Sequence, residues 1–160
     1  MDKYKDFPEQ PRHISLEEGE AMYQHALKQI KEYGPDEIVA VHRSGFSYAM
    51  WTAQILKLPL GVYFPKKPLI TFDSDNPKKV VFVDDNILSG TTYNATKEFM
   101  AKNYPNVEFK WAVLFSDWNA TPERVRNEII QGARLPYFAE EPMWGSRKIS
   151  KAPGVRHRDE

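Results

Sequence analysis

Cysteine is absent from this chain, which excludes disulfide bonds, thiolate zinc sites and a cysteine nucleophile. Long apolar runs are missing too, and none reaches the length needed to cross a bilayer. Neither sign of charge is in excess. Lys+Arg and Asp+Glu both number 22, so no global field argues for nucleic acid or a membrane surface as partner. The opening MDKYKDFPEQPRH has no apolar core, so no secretory signal is expected, and the protein is expected to be soluble and cytoplasmic. Histidine is scarce and scattered: His13, His25, His42 and His157 form no helical ligand pair, which disfavours His-based metal hydrolysis. Tandem repeats are lacking. What is present is 41% apolar and 13% aromatic residues over 160 positions, too rich for a disordered chain. A chain of this size suits one domain that buries ~70% of its unfolded surface.

The pattern along the chain alternates helix and strand. Ser15 and Glu18 have capping-box spacing, and Leu16, Tyr23, Leu27 and Ile30 recur on one helical stripe that Gly34-Pro35 ends. Residues 38–41 read as a short buried strand, 48–58 as a buried helix, and 60–64 as a second strand closed by Pro65. Residues 65–79 are loop-like, with a short edge strand possible around 69–72. Residues 80–83 are wholly apolar, as central parallel strands usually are. A helix over 92–103 is expected to turn Ala95, Thr96, Phe99 and Met100 inward, and 109–115 is the next strand. Thr121 as N-cap and Pro122 at N1 open a further helix. The predicted class is α/β, with one domain built on a mainly parallel central sheet of four to five strands flanked by helices. Residues 147–160 read as a basic, flexible tail, solvated or used for contacts.

One device occurs twice: an apolar strand, a short loop with one glycine, then a helix. The first is Val39-Ala40-Val41-His42-Arg43-Ser44-Gly45-Phe46, the second Val80-Val81-Phe82-Val83-Asp84-Asp85-Asn86-Ile87-Leu88-Ser89-Gly90-Thr91-Thr92. Ligands of open α/β sheets sit beyond the carboxyl ends of the strands, so both loops are expected to face one crevice. Unpaired N–H groups and the helix dipole suit phosphate there. Ser89, Thr91 and Thr92 add hydroxyl donors around Gly90, while Asp84 and Asp85 would repel a bare phosphate. Two acids beside such a cradle fit sugar hydroxyls or a hard cation such as Mg²⁺. The combination asks for a ligand with both a phosphate and a ribose diol. A plain turn followed by a helix cap is the structural alternative. His42 either contacts the ligand or packs at its strand end.

Residues 80–92 resemble the signature of type I phosphoribosyltransferases: four apolar residues, two acids, a few mixed residues, then Ser/Thr-Gly-x-Thr. Arg43-Ser44-Gly45 resembles the pyrophosphate loop of that family, where a cis peptide is often found. The likeness runs over residues 15–118 and is nearest to the small bacterial xanthine-guanine and hypoxanthine enzymes. It implies a type I phosphoribosyltransferase fold over 1–146, with 119–146 as a small hood. It implies transfer of the 5-phosphoribosyl group from phosphoribosyl pyrophosphate to a purine-like nucleobase, with Mg²⁺ as cofactor, in nucleotide salvage. Asp84, Asp85 and Arg43 would be the catalytic residues, with Asp84 and Asp85 on the ribose 2- and 3-hydroxyls, directly or through Mg²⁺. Leu88, Ser89, Gly90, Thr91 and Thr92 would wrap the 5-phosphate, and Arg43, Ser44 and Gly45 would hold pyrophosphate. Tyr137 or Phe138 would stack on the base, or else complete the core or a dimer contact. A homodimer is implied, and neither nucleic acid nor a membrane is an expected partner.

The chain departs from the family in three places. Leu88 stands where 6-oxopurine enzymes usually carry an Asp, which bears on substrate choice. Asp117 stands about where purine-specific relatives place a lysine; it either accepts hydrogen bonds from the base or is an ordinary turn residue. The 65–79 connection is shorter than the loop that covers the site in many relatives. Its Lys66, Lys67, Lys78 and Lys79 either meet pyrophosphate or are solvated surface charges. A protein that binds phosphoribosyl pyrophosphate or a nucleotide for regulation, with weak or no catalysis, is the alternative reading. A receiver-domain acid pair would follow the first strand, and a haloacid-dehalogenase phosphatase needs Asp-x-Asp; neither fits.

Overall fold

The computed structural model describes residues 15–117 and 120–135. Helix α1 (Leu16–Tyr33) starts as its capping box predicts, the Glu18 amide donating to Ser15 Oγ at 3.1 Å. It ends at Gly34, whose φ of 71° lets its N–H reach the Ile30 carbonyl. The stripe it buries is Met22, Ala26 and Ile30, with Tyr23 and Leu27 half-buried. Leu16, expected on that stripe, is 89% exposed.

Strand β1 (Glu37–Val41) is followed by helix α2 (Phe46–Leu56), then β2 (Leu60–Phe64) and β3 (Leu69–Thr71). Strand β4 (Lys79–Ile87), helix α3 (Thr91–Asn103), strand β5 (Glu108–Asp117), helix α4 (Glu123–Glu128) and strand β6 (Ile130–Leu135) complete the described chain. The sheet order is β3-β2-β1-β4-β5-β6, parallel throughout except for the antiparallel edge strand β3. Six strands replace the four to five expected. The addition is β6, whose IQGARL carries Gln131, Gly132 and Arg134 and so shows no apolar run. Gly132 lies under α1, where a Cβ would meet the Leu114 carbonyl oxygen at 2.6 Å and clash with that of Met22.

The chain runs outward in opposite directions from β1 and β4, so α2 and α3 cover opposite faces. One core layer joins Tyr93 and Met100 of α3 to Tyr63, Phe82, Trp111 and Val125. The other joins Ala26 and Ile30 of α1 and Ala49 and Ala53 of α2 to Ile38, Val81 and Val83. Three local expectations are corrected. In α3 the inward residues are Tyr93, Thr96 and Met100, an i, i+3, i+7 stripe, with Phe99 half-buried and Ala95 exposed beside it. Helix α2 is not buried all round: Met50, Trp51 and Ile55 face outward. Thr121 is not the cap of α4, whose N-cap is Pro122. Its hydroxyl donates to the Ile87 carbonyl at 3.0 Å and accepts the Asp117 amide at 3.1 Å, tying the ends of β4 and β5 together.

The 65–79 segment is ordered rather than a simple loop. Phe64 pairs with Leu69, so the β2–β3 connection is the four-residue turn 65–68, closed by Lys67 N–H donating to the Phe64 carbonyl at 3.2 Å. The return to β4 is pinned by buried Glu37, which accepts the Asp73 and Ser74 amides at 2.9 and 2.8 Å and the Ser74 hydroxyl. Trp118 and Asn119, the 136–146 part of the expected hood and the 147–160 tail lie outside the described residues.

Candidate active site

Parallel pairing of β1 with β4, from Glu37↔Val80 to Ala40↔Val83, puts the two glycine loops side by side at the carboxyl edge. This is the point where the winding direction reverses, the usual ligand crevice of an open α/β sheet. Both helices that start here begin on a glycine without a capping side chain, Gly45 for α2 and Gly90 for α3. Helix α1, remote from the crevice, is capped by Ser15. The first amides of the two crevice helices bond locally, Phe46 N–H to the Arg43 carbonyl at 3.3 Å and Thr91 N–H to Ser89 Oγ at 3.4 Å.

The first loop packs directly on β4. A Cβ on Gly45 would clash with the Val83 carbonyl oxygen and come within 2.8 Å of Asp84 Cα, so only glycine permits this approach. The His42–Arg43 peptide bond is cis, in the loop where the family resemblance places one. Ser44 Oγ donates to Asp84 Oδ1 at 2.7 Å, joining the loop to the acid pair. Strand β4 runs further than expected, through Asp84 and Asp85 to Ile87, so ladder pairing on β5 holds the acids. The Asp85 amide donates to Asp84 Oδ1 and the Asn86 amide to Asp85 Oδ1, both at 2.8 Å. Burial, and then the neighbouring Asp85 charge, push the Asp84 carboxyl up to about 8, against the opposing hydrogen bond from Ser44. Asp84 in this setting therefore holds its proton more tightly than an isolated carboxyl does.

These groups line a cavity of about 620 Å³. Arg43 and Ser44 come from the first loop; Asp84, Asp85, Asn86 and Thr92 come from the second. Phe64, Pro65, Lys66 and Lys67 form a third wall from the β2–β3 turn, and the Phe64 ring lies 4.7 Å from that of His42. His42 both lines the cavity and packs at its strand end. Of the expected phosphate loop, Thr92 lines the cavity, while Leu88, Ser89 and Thr91 are exposed at the start of α3. Ser89 Oγ and Thr91 Oγ1 lie 2.9 Å apart. Gly90 takes the left-handed conformation, φ 84°, against the side chain of Val125.

Two other expectations resolve differently. Asp117 is fully buried at the end of β5, and its Oδ1 accepts the Ala120 amide at 2.6 Å; it closes a turn and does not line the cavity. Lys78 and Lys79 lie at the amino end of β4, with Lys79 Nζ 3.7 Å from Glu108 and 4.4 Å from the centre of the Tyr33 ring. Lys66 and Lys67 line the site, and so does Asn86, which was not singled out from the motif. The signal for the lysines is the Pro-Lys-Lys-Pro turn itself, readable once β2 and β3 are known to pair. Tyr137 and Phe138 lie outside the described residues.

The oxygen donors of Asp84, Asp85 and Asn86 in the cavity wall are of the type a hard cation takes. Among the described residues no group of three or more acids, histidines or cysteines could hold a metal.

No family model matches the chain, and no curated protein matches it. Solved structures do. A xanthine-guanine-hypoxanthine phosphoribosyltransferase of Helicobacter pylori superposes with a TM-score of 0.56 at 20% identity, covering 78% of this chain and 83% of that one. A purine phosphoribosyltransferase of Pyrococcus horikoshii gives 0.54 at 22% identity, covering 78% and 87%. An orotate phosphoribosyltransferase of Aeropyrum pernix gives 0.54 at 23% identity, covering 76% and 78%. The class this defines is one of architecture: the chain has the type I phosphoribosyltransferase fold.

Proposed function

We propose that this protein is a Mg²⁺-dependent phosphoribosyltransferase that moves the 5-phosphoribosyl group from phosphoribosyl pyrophosphate to a purine-like nucleobase in cytoplasmic nucleotide salvage. The observation that carries this reading is the shared cavity, in which Ser44 of the first loop holds Asp84 of the second. Asp84 and Asp85 bind the ribose hydroxyls. The α3 amino terminus, with Thr92, takes the 5-phosphate. Arg43, the α2 amino terminus, Lys66 and Lys67 take the pyrophosphate.

Displacement at the anomeric carbon passes through an oxocarbenium-like state, so the chain's contribution is positioning and charge stabilisation rather than a nucleophile. The buried acid pair places negative charge beside the developing positive ribose. Bound Mg²⁺ supplies charge neutralisation on the pyrophosphate. Turnover of a panel of purine and pyrimidine bases with phosphoribosyl pyrophosphate and Mg²⁺ tests this reading. Asp84→Asn/Asp85→Asn should lower kcat/KM by on the order of 10³ or more. Full activity or full affinity in that variant overturns the assignment.

The four-residue β2–β3 turn and exposed Leu88 favour a second reading, a binding protein with weak chemistry that senses the sugar phosphate. Thermal stabilisation by phosphoribosyl pyrophosphate without turnover of any base would select it.

A further inference from the structure

We propose that His42 is a ligand-binding residue of the cavity's basic wall, its imidazolium donating to a phosphate oxygen of bound pyrophosphate, so that the site takes up a proton as it fills. The inference deepens the transferase reading and rests on its placing of pyrophosphate at this wall. No step of that reading uses His42.

His42 stands where β1 passes into the first loop, and it is held at two points. Its backbone N–H donates to the Tyr63 carbonyl at 2.8 Å, extending the β1–β2 ladder by one residue. Its ring lies against that of Phe64, 4.7 Å between centres and inclined by 39°. Phe64 ends β2 and leads directly into the turn that carries Lys66 and Lys67, so the imidazole is fixed beside both lysines. The residue is nonetheless exposed to the cavity. Among the described residues, neither ring nitrogen has a hydrogen-bond partner. Packing on Phe64 needs only a flat ring. The two nitrogens are chemistry that this packing leaves unused.

The charged groups that face the same cavity are Arg43 of its own loop, Lys66 and Lys67 of the β2–β3 turn, and Asp84 and Asp85 of β4. Asp84 Oδ1 is taken by Ser44 Oγ and by the Asp85 amide. Arginine and lysine carry their charge across the neutral range, whereas histidine is the basic side chain that changes charge within it. A polyanion set among four basic groups favours the charged imidazole, which then makes a charge-assisted hydrogen bond. By linkage, the ligand binds more tightly where that proton is available.

Calorimetric titration of the full chain with inorganic pyrophosphate alone, without Mg²⁺, tests this between about pH 6 and about pH 8. Wild type should bind about 10-fold more tightly than His42→Gln near pH 6, and within about two-fold of it near pH 8. Proton changes on pyrophosphate and on Asp84 enter both proteins alike, so the ratio isolates His42. His42→Phe keeps a ring against Phe64 and removes both nitrogens, so it should follow His42→Gln. A packing role would give a deficit that does not vary with pH and that His42→Phe repairs. That result, or wild-type affinity in both variants at every pH, overturns the proposal and leaves the transferase reading standing. A wild-type protein that binds no pyrophosphate overturns both. Proton-linked binding without turnover of any base overturns the transferase reading alone.

Discussion

The loop after β1 and the loop after β4 each deliver an uncapped helix terminus to one cavity, yet their glycines answer different demands. Gly45 has an ordinary φ of −83° and is required by space, since β4 backbone occupies the room a Cβ would take. Gly90 faces only the Val125 side chain, with 3.2 Å to the nearest methyl, and is required by its φ of 84°. The first loop is wedged against the acid pair; the second hangs from the end of its strand. Two loops that look alike in sequence are thus held by packing in one case and by backbone conformation in the other.

The largest effect that would break this contrast is at Gly45. Gly45→Ala should destabilise the protein by about 3 kcal/mol, because the neighbour it meets is backbone and cannot turn aside. Equilibrium urea unfolding measures it, and a loss equal to that of Gly90→Ala would remove the distinction. Next is the acid pair on which Gly45 rests. Asp84 has an ordinary value of 3.8 and a folded value raised to about 8, so between these the folded state binds more protons than the unfolded one. Stability of the ligand-free protein should therefore fall as pH rises from about 4 to about 8 and lose that slope above it. Asp84→Asn should flatten the curve and stabilise the protein most at about pH 8 and above; a Tm profile identical to wild type would contradict the raised value.

A smaller effect concerns the third wall. Lys66→Ala/Lys67→Ala should raise KM for phosphoribosyl pyrophosphate about 10-fold and reduce its salt dependence, with Tm nearly unchanged. Unaltered binding would mean that the two glycine loops alone define the anion site. Smallest is Gly90→Ala, expected to destabilise by about 1 kcal/mol through the left-handed backbone.

Much of this architecture is legible in the residues. Runs such as Val80–Val83 can only be buried on both faces, and the acid pair and Ser-Gly-Thr-Thr locate the site without a structure. Strand β6 was not legible, because Gln131 and Arg134 are polar and Gly132 answers to α1 packing across it. Helix α2 read as buried from its composition, although only Ala49, Thr52 and Ala53 are buried, with Tyr48 and Leu56 partly so. Asp117 and Thr121 looked like a base-reading position and a helix cap. Asp117 instead closes a local turn on Ala120 and Thr121, while the Thr121 bond to Ile87 exists only once β4 and β5 lie side by side.

Sequence alone therefore determined the alternating α/β order, the two glycine loops and the acid pair, because each depends on local periodicity or on residue chemistry at short range. Tertiary structure decided which groups share the cavity: it put Ser44 on Asp84 and brought Lys66 and Lys67 to the rim. The reason is register. A side chain's end of the sheet follows from which strands pair and how far they run, and that is a long-range property no short segment carries.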